Sequence, residues 1–359
     1  MNPTAYGDFH GANWWAWLAT YTLADGKFIA IFAMLFGAAI VIQSASAGSA
    51  LLATHRHYRR MAVLFGMGLM HSYLLWYGDM LVEFAVCGAI AFVFRDEPPG
   101  RLLQLGLLWF VFGAAMMLAF SWPFSWWSPE ALARQAQSWA PSPEKIAWEI
   151  ERYRGGWLEQ MAHRAPTAFQ GQTSGLAFRG LWQMVGLVLM GMGLFKLGIL
   201  SGAWSAAFYG AIAAVGLGAG VSLTLVGVHH TIAHGWDLNA VLVLGNLCYY
   251  FGALLVGLGW AGLTLLACRL GRVPAPLAAV GRLALTNYLV QSVICTTIFY
   301  GHGLGLFARL DRLDQLGIVA GIWVFQLITS GLWLRHFALG PVEWLWRCLA
   351  TGQLVPIRA

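Results

Sequence analysis

Three ionisable side chains stand in the apolar stretch MGLMHSYLLWYGDMLVEF: His71, Asp79 and Glu83. Charged groups are expensive in hydrocarbon, so each is a functional candidate. A histidine oriented by a carboxylate is a general base, able to take a proton from a hydroxyl or similar group. His71 and Asp79 lie eight residues apart, near two helical turns. On one continuous helix they share a face at about 12 Å in rise. Asp79 also falls at the Gly78-Asp79 turn between two apolar runs. A second polar group is GRLALTNYLVQS, where Asn287 and Gln291 are spaced i, i+4 and Thr286 and Ser292 flank them. His302 follows that run. The plainer reading is that His71, Asn287 and Gln291 hydrogen-bond helix to helix. Both readings stand at this point.

Other constellations are weaker. In HHTIAHGWDLN, His230 and His234 are i, i+4 and Asp237 is near, which would suit a metal. There is no HExxH pattern, and Gly235 interrupts the helix. We therefore expect His229, His230 and His234 to be solvated loop residues and expect no metal. No GxSxG nucleophile elbow occurs. GLGAG at 216–220 falls in an apolar run, so helix packing explains it better than phosphate binding. The five cysteines, Cys87, Cys248, Cys268, Cys295 and Cys348, have no metal-type spacing and read as packing residues.

The elements that must carry these residues follow from composition. Of 359 residues, 59% are hydrophobic and only 10% charged, and the mean hydropathy is +0.66. A soluble domain carries about 25% charged residues, so this chain cannot cover a water-facing surface. Lipid can cover it. The net charge of +6 comes from basic residues at helix ends, not from one patch, which excludes a nucleic-acid partner. The pattern predicts an all-α polytopic transmembrane bundle forming one membrane domain over 1–359. Its expected partners are membrane lipids.

Runs able to cross about 30 Å of hydrocarbon number nine. They cover 28–47, 61–77, 80–94, 102–121, 180–200, 204–228, 239–267, 278–300 and 315–335. The apolar piece from Trp14 to Leu23 is too short to cross and is expected to be interfacial or re-entrant. The opening residues carry no signal-peptide pattern. With the N-terminus outside, twelve Lys and Arg of the short connections lie inside and three outside. The positive-inside rule then places the C-terminus in the cytoplasm. His71, Asp79, Glu83, His302 and the histidine-rich connection lie in the outer half.

Segment 122–179 is predicted to be an extracytoplasmic helical insertion. Ser142, Pro143 and Glu144 read as an N-cap, a first-position proline and a first-turn acid. After them Ile146, Ile150, Tyr153, Trp157 and Met161 form one apolar stripe. A shorter helix is expected near Pro129 to Trp139.

Several strings then carry a resemblance: DGKFIAIFAMLFGAAI, MGLMHSYLLWYGDMLVEFAVCG, YRGGWLEQMAHRAPT, GRLALTNYLVQSVICTTIFYGHGLG and GPVEWLWR. Together, in this order and nearly end to end, they resemble the YeiB-like family of domain of unknown function 418. That family is distantly similar to membrane acyltransferases that pass an acyl group to an extracytoplasmic sugar or similar acceptor, commonly with a catalytic histidine. The resemblance implies a bacterial inner-membrane protein that transfers an acyl group to an envelope glycan or lipid. The donor would be acyl-CoA or a lipid-linked acyl group, with no required cofactor. It matches His71, Asp79, Asn287 and Gln291 to the polar positions. We take His71 and Asp79 as the catalytic candidates and Glu83, Asn287, Gln291 and His302 as the substrate-binding candidates. It also implies a further first helix with an Arg-Gly pair, which would stand ahead of the first residue of this sequence. The rival classes are a transporter or lipid-handling protein and a non-catalytic membrane subunit.

Overall fold

The computed structural model describes residues 2–46, 48–121 and 128–358. Among them the regular structure is entirely helical. The helices are α1 (Gly11–Leu23), α2 (Lys27–Ala45), α3 (Ala50–Leu74), α4 (Leu81–Ala91), α5 (Pro99–Ser121), α6 (Pro129–Trp139), α7 (Pro143–Arg154), α8 (Trp157–Gln170) and α9 (Leu181–Lys196). They continue with α10 (Ala206–Ala233), α11 (Leu238–Ala240), α12 (Asn246–Arg269), α13 (Ala275–Arg282), α14 (Ala284–Phe299), α15 (Arg312–Trp333) and α16 (Pro341–Thr351). A π-helical stretch, Gly171–Gly180, joins α8 to α9, and a second, Val241–Gly245, joins α11 to α12.

Six helices among the described residues are long and apolar enough to cross a membrane, seven if a bent pair counts as one span. The expected count of nine is not confirmed, for local reasons. The piece from Trp14 to Leu23 lies in α1, which with α2 makes one apolar stretch, Gly11–Ala45. In α3 the apolar part of the run begins only after the charged residues His55 to Arg60 and is cut short where the helix ends at Leu74. Helix α4 has 11 residues, reaching about 16 Å. The run at 180–200 is the end of a 40-residue stretch, Trp157–Lys196. The run at 278–300 is broken, because α13 and α14 meet at 83° around Leu283.

Segment 122–179 carries the two expected helix starts but breaks the expected stripe. Residues 122–127 lie outside the described residues. Helix α6 forms as expected, and Ser142 caps α7, its Oγ accepting from Lys145 N at 3.4 Å. The stripe from Ile146 to Met161 is then cut at Gly155-Gly156. Gly156 N donates to Glu159 Oε2 at 2.8 Å, which caps a new helix. A Cβ at Gly155 would fall 2.3 Å from that same oxygen, so a side chain there would push the Glu159 cap aside.

Helix α9 is the centre of the bundle. Val185, Val188, Leu189 and Met192 are wholly buried there, with α2, α4 and α5 packed around them. Glycine permits the close approach: a Cβ at Gly191 would fall 2.0 Å from Met34 O, and one at Gly106 2.8 Å from Gly186 O. Helices α10 and α12 pair through Gly216 and Gly220, whose added Cβ atoms would meet Gly259 N and Val256 N at 2.6 Å. This is the packing role expected of GLGAG.

Helix α3 spans about 37 Å and defines two ends of the molecule. At one end Trp346 of α16 donates its indole N–H to Arg60 O at 3.2 Å. At the other Trp157 donates to Leu74 O at 2.9 Å, and Arg164 donates to Leu75 O at 2.6 Å. We call these the α16 end and the α7 end.

Candidate functional site

His71 lies in the last turn of α3. The helix stops just beyond it because Leu75 N and Trp76 N both donate to His71 O at 2.9 Å, leaving no ladder to continue. The chain reverses, and Asp79 comes back beside the histidine. His71 Nδ1 lies 2.8 Å from Asp79 Oδ1, with side chains 1% and 0% exposed. The two residues are therefore in contact, not two turns apart on one helix. The reversal at residues 75–80 brings them together. Spacing alone could not show this.

Asp79 has two further partners. Its Oδ2 accepts from Val82 N at 3.0 Å, which caps α4, and Oδ1 accepts from Tyr288 Oη at 3.3 Å. Tyr288 Oη in turn accepts from Met80 N at 3.2 Å, and its ring centre lies 5.0 Å from that of His71. An ionised carboxylate can only accept, so Nδ1 donates its hydrogen to Asp79 Oδ1, and in the tautomer that carries its proton there Nε2 holds the free lone pair. That atom is buried and has no hydrogen-bond partner among the described residues. A buried polar atom without a partner is uncommon and costly. Here it belongs to an imidazole, a group able to act as a base.

The substrate-binding candidates separate. Glu83, in the first turn of α4, lines a cavity of about 350 Å³ with Gly78, Asp79, Thr167 and Gln172. Its carboxylate rests on Gly180, where a Cβ would fall 2.3 Å from Oε1. Gln172 donates to Ser72 Oγ at 2.8 Å, next to His71. Gln291 lines a larger cavity of about 530 Å³ with Tyr6, Tyr77, Tyr153, Ser292 and Tyr300. Tyr77 borders both cavities. Asn287 faces elsewhere, against the expectation: its Nδ2 donates to Val280 O at 3.1 Å and Ser330 Oγ at 3.0 Å. It pins the broken α13–α14 corner to α15. His302 stays exposed, holding an edge contact with Tyr300 at 5.8 Å. Partial burial and the nearby Arg164 lower its pKa below the ordinary histidine value.

Sequence reasoning missed three participants. Tyr288 sits inside LTNYL, and Arg164 inside MAHRAPT; both strings had been singled out as whole motifs, but not these residues. Arg164 is wholly buried beneath Trp157 and Tyr300, and no carboxylate among the described residues pairs with it. Glu343, in GPVEWLWR, accepts from Leu285 N at 2.7 Å, from Thr286 N at 3.0 Å and from the Thr286 hydroxyl. It supplies the N-terminal cap that α14 needs after the 83° break. Around the α7 end, Tyr6 Oη, Tyr153 Oη, Gln160 Oε1 and Arg164 Nε are also buried without partners among the described residues. Burial raises the Tyr153 phenol, which stays a protonated donor. The histidine-rich connection is separate: His234 Nδ1 lies 2.8 Å from His230 O. No group of three or more His, Cys, Asp or Glu able to hold a metal occurs among the described residues.

The fold and this site define a multi-pass helical membrane protein with a buried His–Asp–Tyr cluster. Comparison with known proteins supplies the family. The chain is 31% identical to the uncharacterized protein YeiB of Escherichia coli (strain K12), over 99% of this chain and 90% of YeiB. It is 28% identical to the uncharacterized protein YxaH of Bacillus subtilis (strain 168), over 92% of this chain and 81% of YxaH. Residues 194–353 match the family described as protein of unknown function (DUF418). The chain belongs to this YeiB-like DUF418 family. No solved structure matches it at a significant level.

Proposed function

We propose that the protein is an acyltransferase of the bacterial inner membrane, acting on an envelope glycan or lipid at the α7 end. The observation that carries this is the buried pair His71 Nδ1–Asp79 Oδ1 at 2.8 Å with Nε2 left as an unpartnered base. In the reaction Nε2 takes the proton of an acceptor hydroxyl as its oxygen attacks the acyl carbonyl carbon. The bond from that carbon to the donor's sulfur or oxygen breaks, and the proton passes to the leaving group. Asp79 orients the ring and stabilises the imidazolium that forms. The acceptor would occupy the cavity bordered by Tyr77, Gln291 and Ser292. His71 lines neither cavity, so acceptor entry requires movement of the turn at residues 75–80.

In this reading the α7 end faces outward and the C-terminus is cytoplasmic, as the distribution of Lys and Arg favours. The test is His71→Gln at equal membrane abundance, read by any gene-dependent acyl change in envelope material. Gln keeps hydrogen-bonding capacity and loses proton uptake, so activity should vanish while the fold holds. Wild-type activity from His71→Gln ends the catalytic reading. The broken α13–α14 helix is the one observation that favours translocation, since discontinuous helices build transporter sites. Its freed N-terminus, however, is already taken by the protein's own Glu343.

A further inference from the structure

At the α16 end, about 16 Å along α3 from His71, a second cavity of about 410 Å³ opens between α3 and α16. Arg56, Arg60, Arg282 and Arg347 line it. Its apolar floor includes Phe92 and Trp346. Among the described residues the only carboxylate lining it is Glu343, and that group is fully engaged. Both its oxygens accept from the start of α14, at Leu285 N, Thr286 N and the Thr286 hydroxyl. None of the four arginines forms an ion pair among the described residues. Arg60 instead lies over the Trp346 ring, 4.6 Å from its centre, and Arg282 donates to Ala338 O at 3.2 Å. Four cations converge on one concave site in which the single anion is used as a helix cap.

Like charges gathered in a half-apolar cavity repel one another, and an anion relieves that repulsion most where water is fewest. Planar guanidinium groups match the oxygens of a phosphate in bidentate pairs. We infer that this cavity binds a phosphate ester whose apolar portion lies against Phe92 and Trp346. The chemistry is shared by an anionic phospholipid headgroup and by a soluble phosphate ester. The inference does not depend on the transfer reaction at the α7 end.

The test uses the full chain in detergent, with Arg347→Gln, with the double variant Arg60→Gln/Arg347→Gln, and with Arg101→Gln as a control. Arg101 pairs with Glu97 and lies outside the cavity. Native mass spectrometry counts retained phosphatidylglycerol against phosphatidylcholine. Isothermal titration with pyrophosphate and with ADP probes soluble phosphates. A cavity phosphate site should lose about tenfold in affinity on Arg347→Gln and more in the double variant, with Arg101→Gln unchanged. Loss confined to phosphatidylglycerol identifies a lipid headgroup; loss of ADP, with or without pyrophosphate, and not of phosphatidylglycerol identifies a soluble ester; loss confined to pyrophosphate overturns the apolar contact with Phe92 and Trp346. Arg347 is exposed and makes no hydrogen bond through its side chain among the described residues, so its replacement leaves folding intact even if the double variant fails. Equal binding of every probe by wild type and Arg347→Gln overturns the inference, as does equal loss in Arg101→Gln.

Discussion

Asp79→Asn separates a positioned base from a packing hydrogen bond. Asp79 accepts from His71 Nδ1, Tyr288 Oη and Val82 N, at 2.8, 3.3 and 3.0 Å. Asparagine has one accepting oxygen and one donating amide group. If the oxygen keeps Val82 N, the amide faces Nδ1, which must then accept. The ring proton moves to Nε2, and the base is lost. If the amide faces Val82 N instead, two donors meet and the cap of α4 fails. The first arrangement costs less, because it keeps the helix cap. Replacing one charge-assisted bond by a neutral one lowers stability by about 1–2 kcal/mol. Activity should fall by about 10²–10⁴-fold, the range for a positioned acid–base group. The assay pairs thermal unfolding in detergent with ¹⁵N spectra of histidine-labelled protein, the His71 signals being assigned by their absence from His71→Gln. We expect the Nδ1–H form in the wild type and the Nε2–H form in Asp79→Asn. An unchanged tautomer together with wild-type acyl change would refute the orienting role of Asp79.

Other outcomes follow from the same geometry. Glu343→Ala should lower stability by about 2–4 kcal/mol, since it leaves Leu285 N and Thr286 N unpaired at a break, and Glu343→Gln should restore about half; thermal unfolding decides. Gly220→Ala should cost about 1–3 kcal/mol because its Cβ would meet Val256 N at 2.6 Å, whereas Gly218→Ala, with open space beside it, should be silent in the same unfolding assay. In a cysteine-free background, an impermeant thiol reagent should label cysteines at Ser142 and His234 in sealed cells and miss those at His55 and Arg272; labelling at His55 would invert the proposed orientation.

The sequence by itself determined the solvent and the architecture. Ten per cent charge over 359 residues leaves lipid as the only exterior, and a lipid exterior demands helices whose backbone groups pair within themselves. It also marked local signals that act over a few residues: the Ser142-Pro143 helix start, the GLGAG packing face and the ionisable candidates in apolar runs. The span count of nine is not confirmed where apolarity and length part company, as in α3, whose apolar part ends at Leu74, and in the short α4. Only the tertiary structure decided which candidates meet. Hydrogen bonds at the end of α3 turn the chain back, so His71 and Asp79 touch. Tyr288 arrives from 209 residues further along to reach the same carboxylate. Asn287, one residue before it on the same helix, points to α15 because successive helical side chains diverge by about 100°. Glu343 becomes a cap because another helix breaks beside it. Each of these depends on contacts between distant segments, and such contacts leave no periodicity in the chain to read.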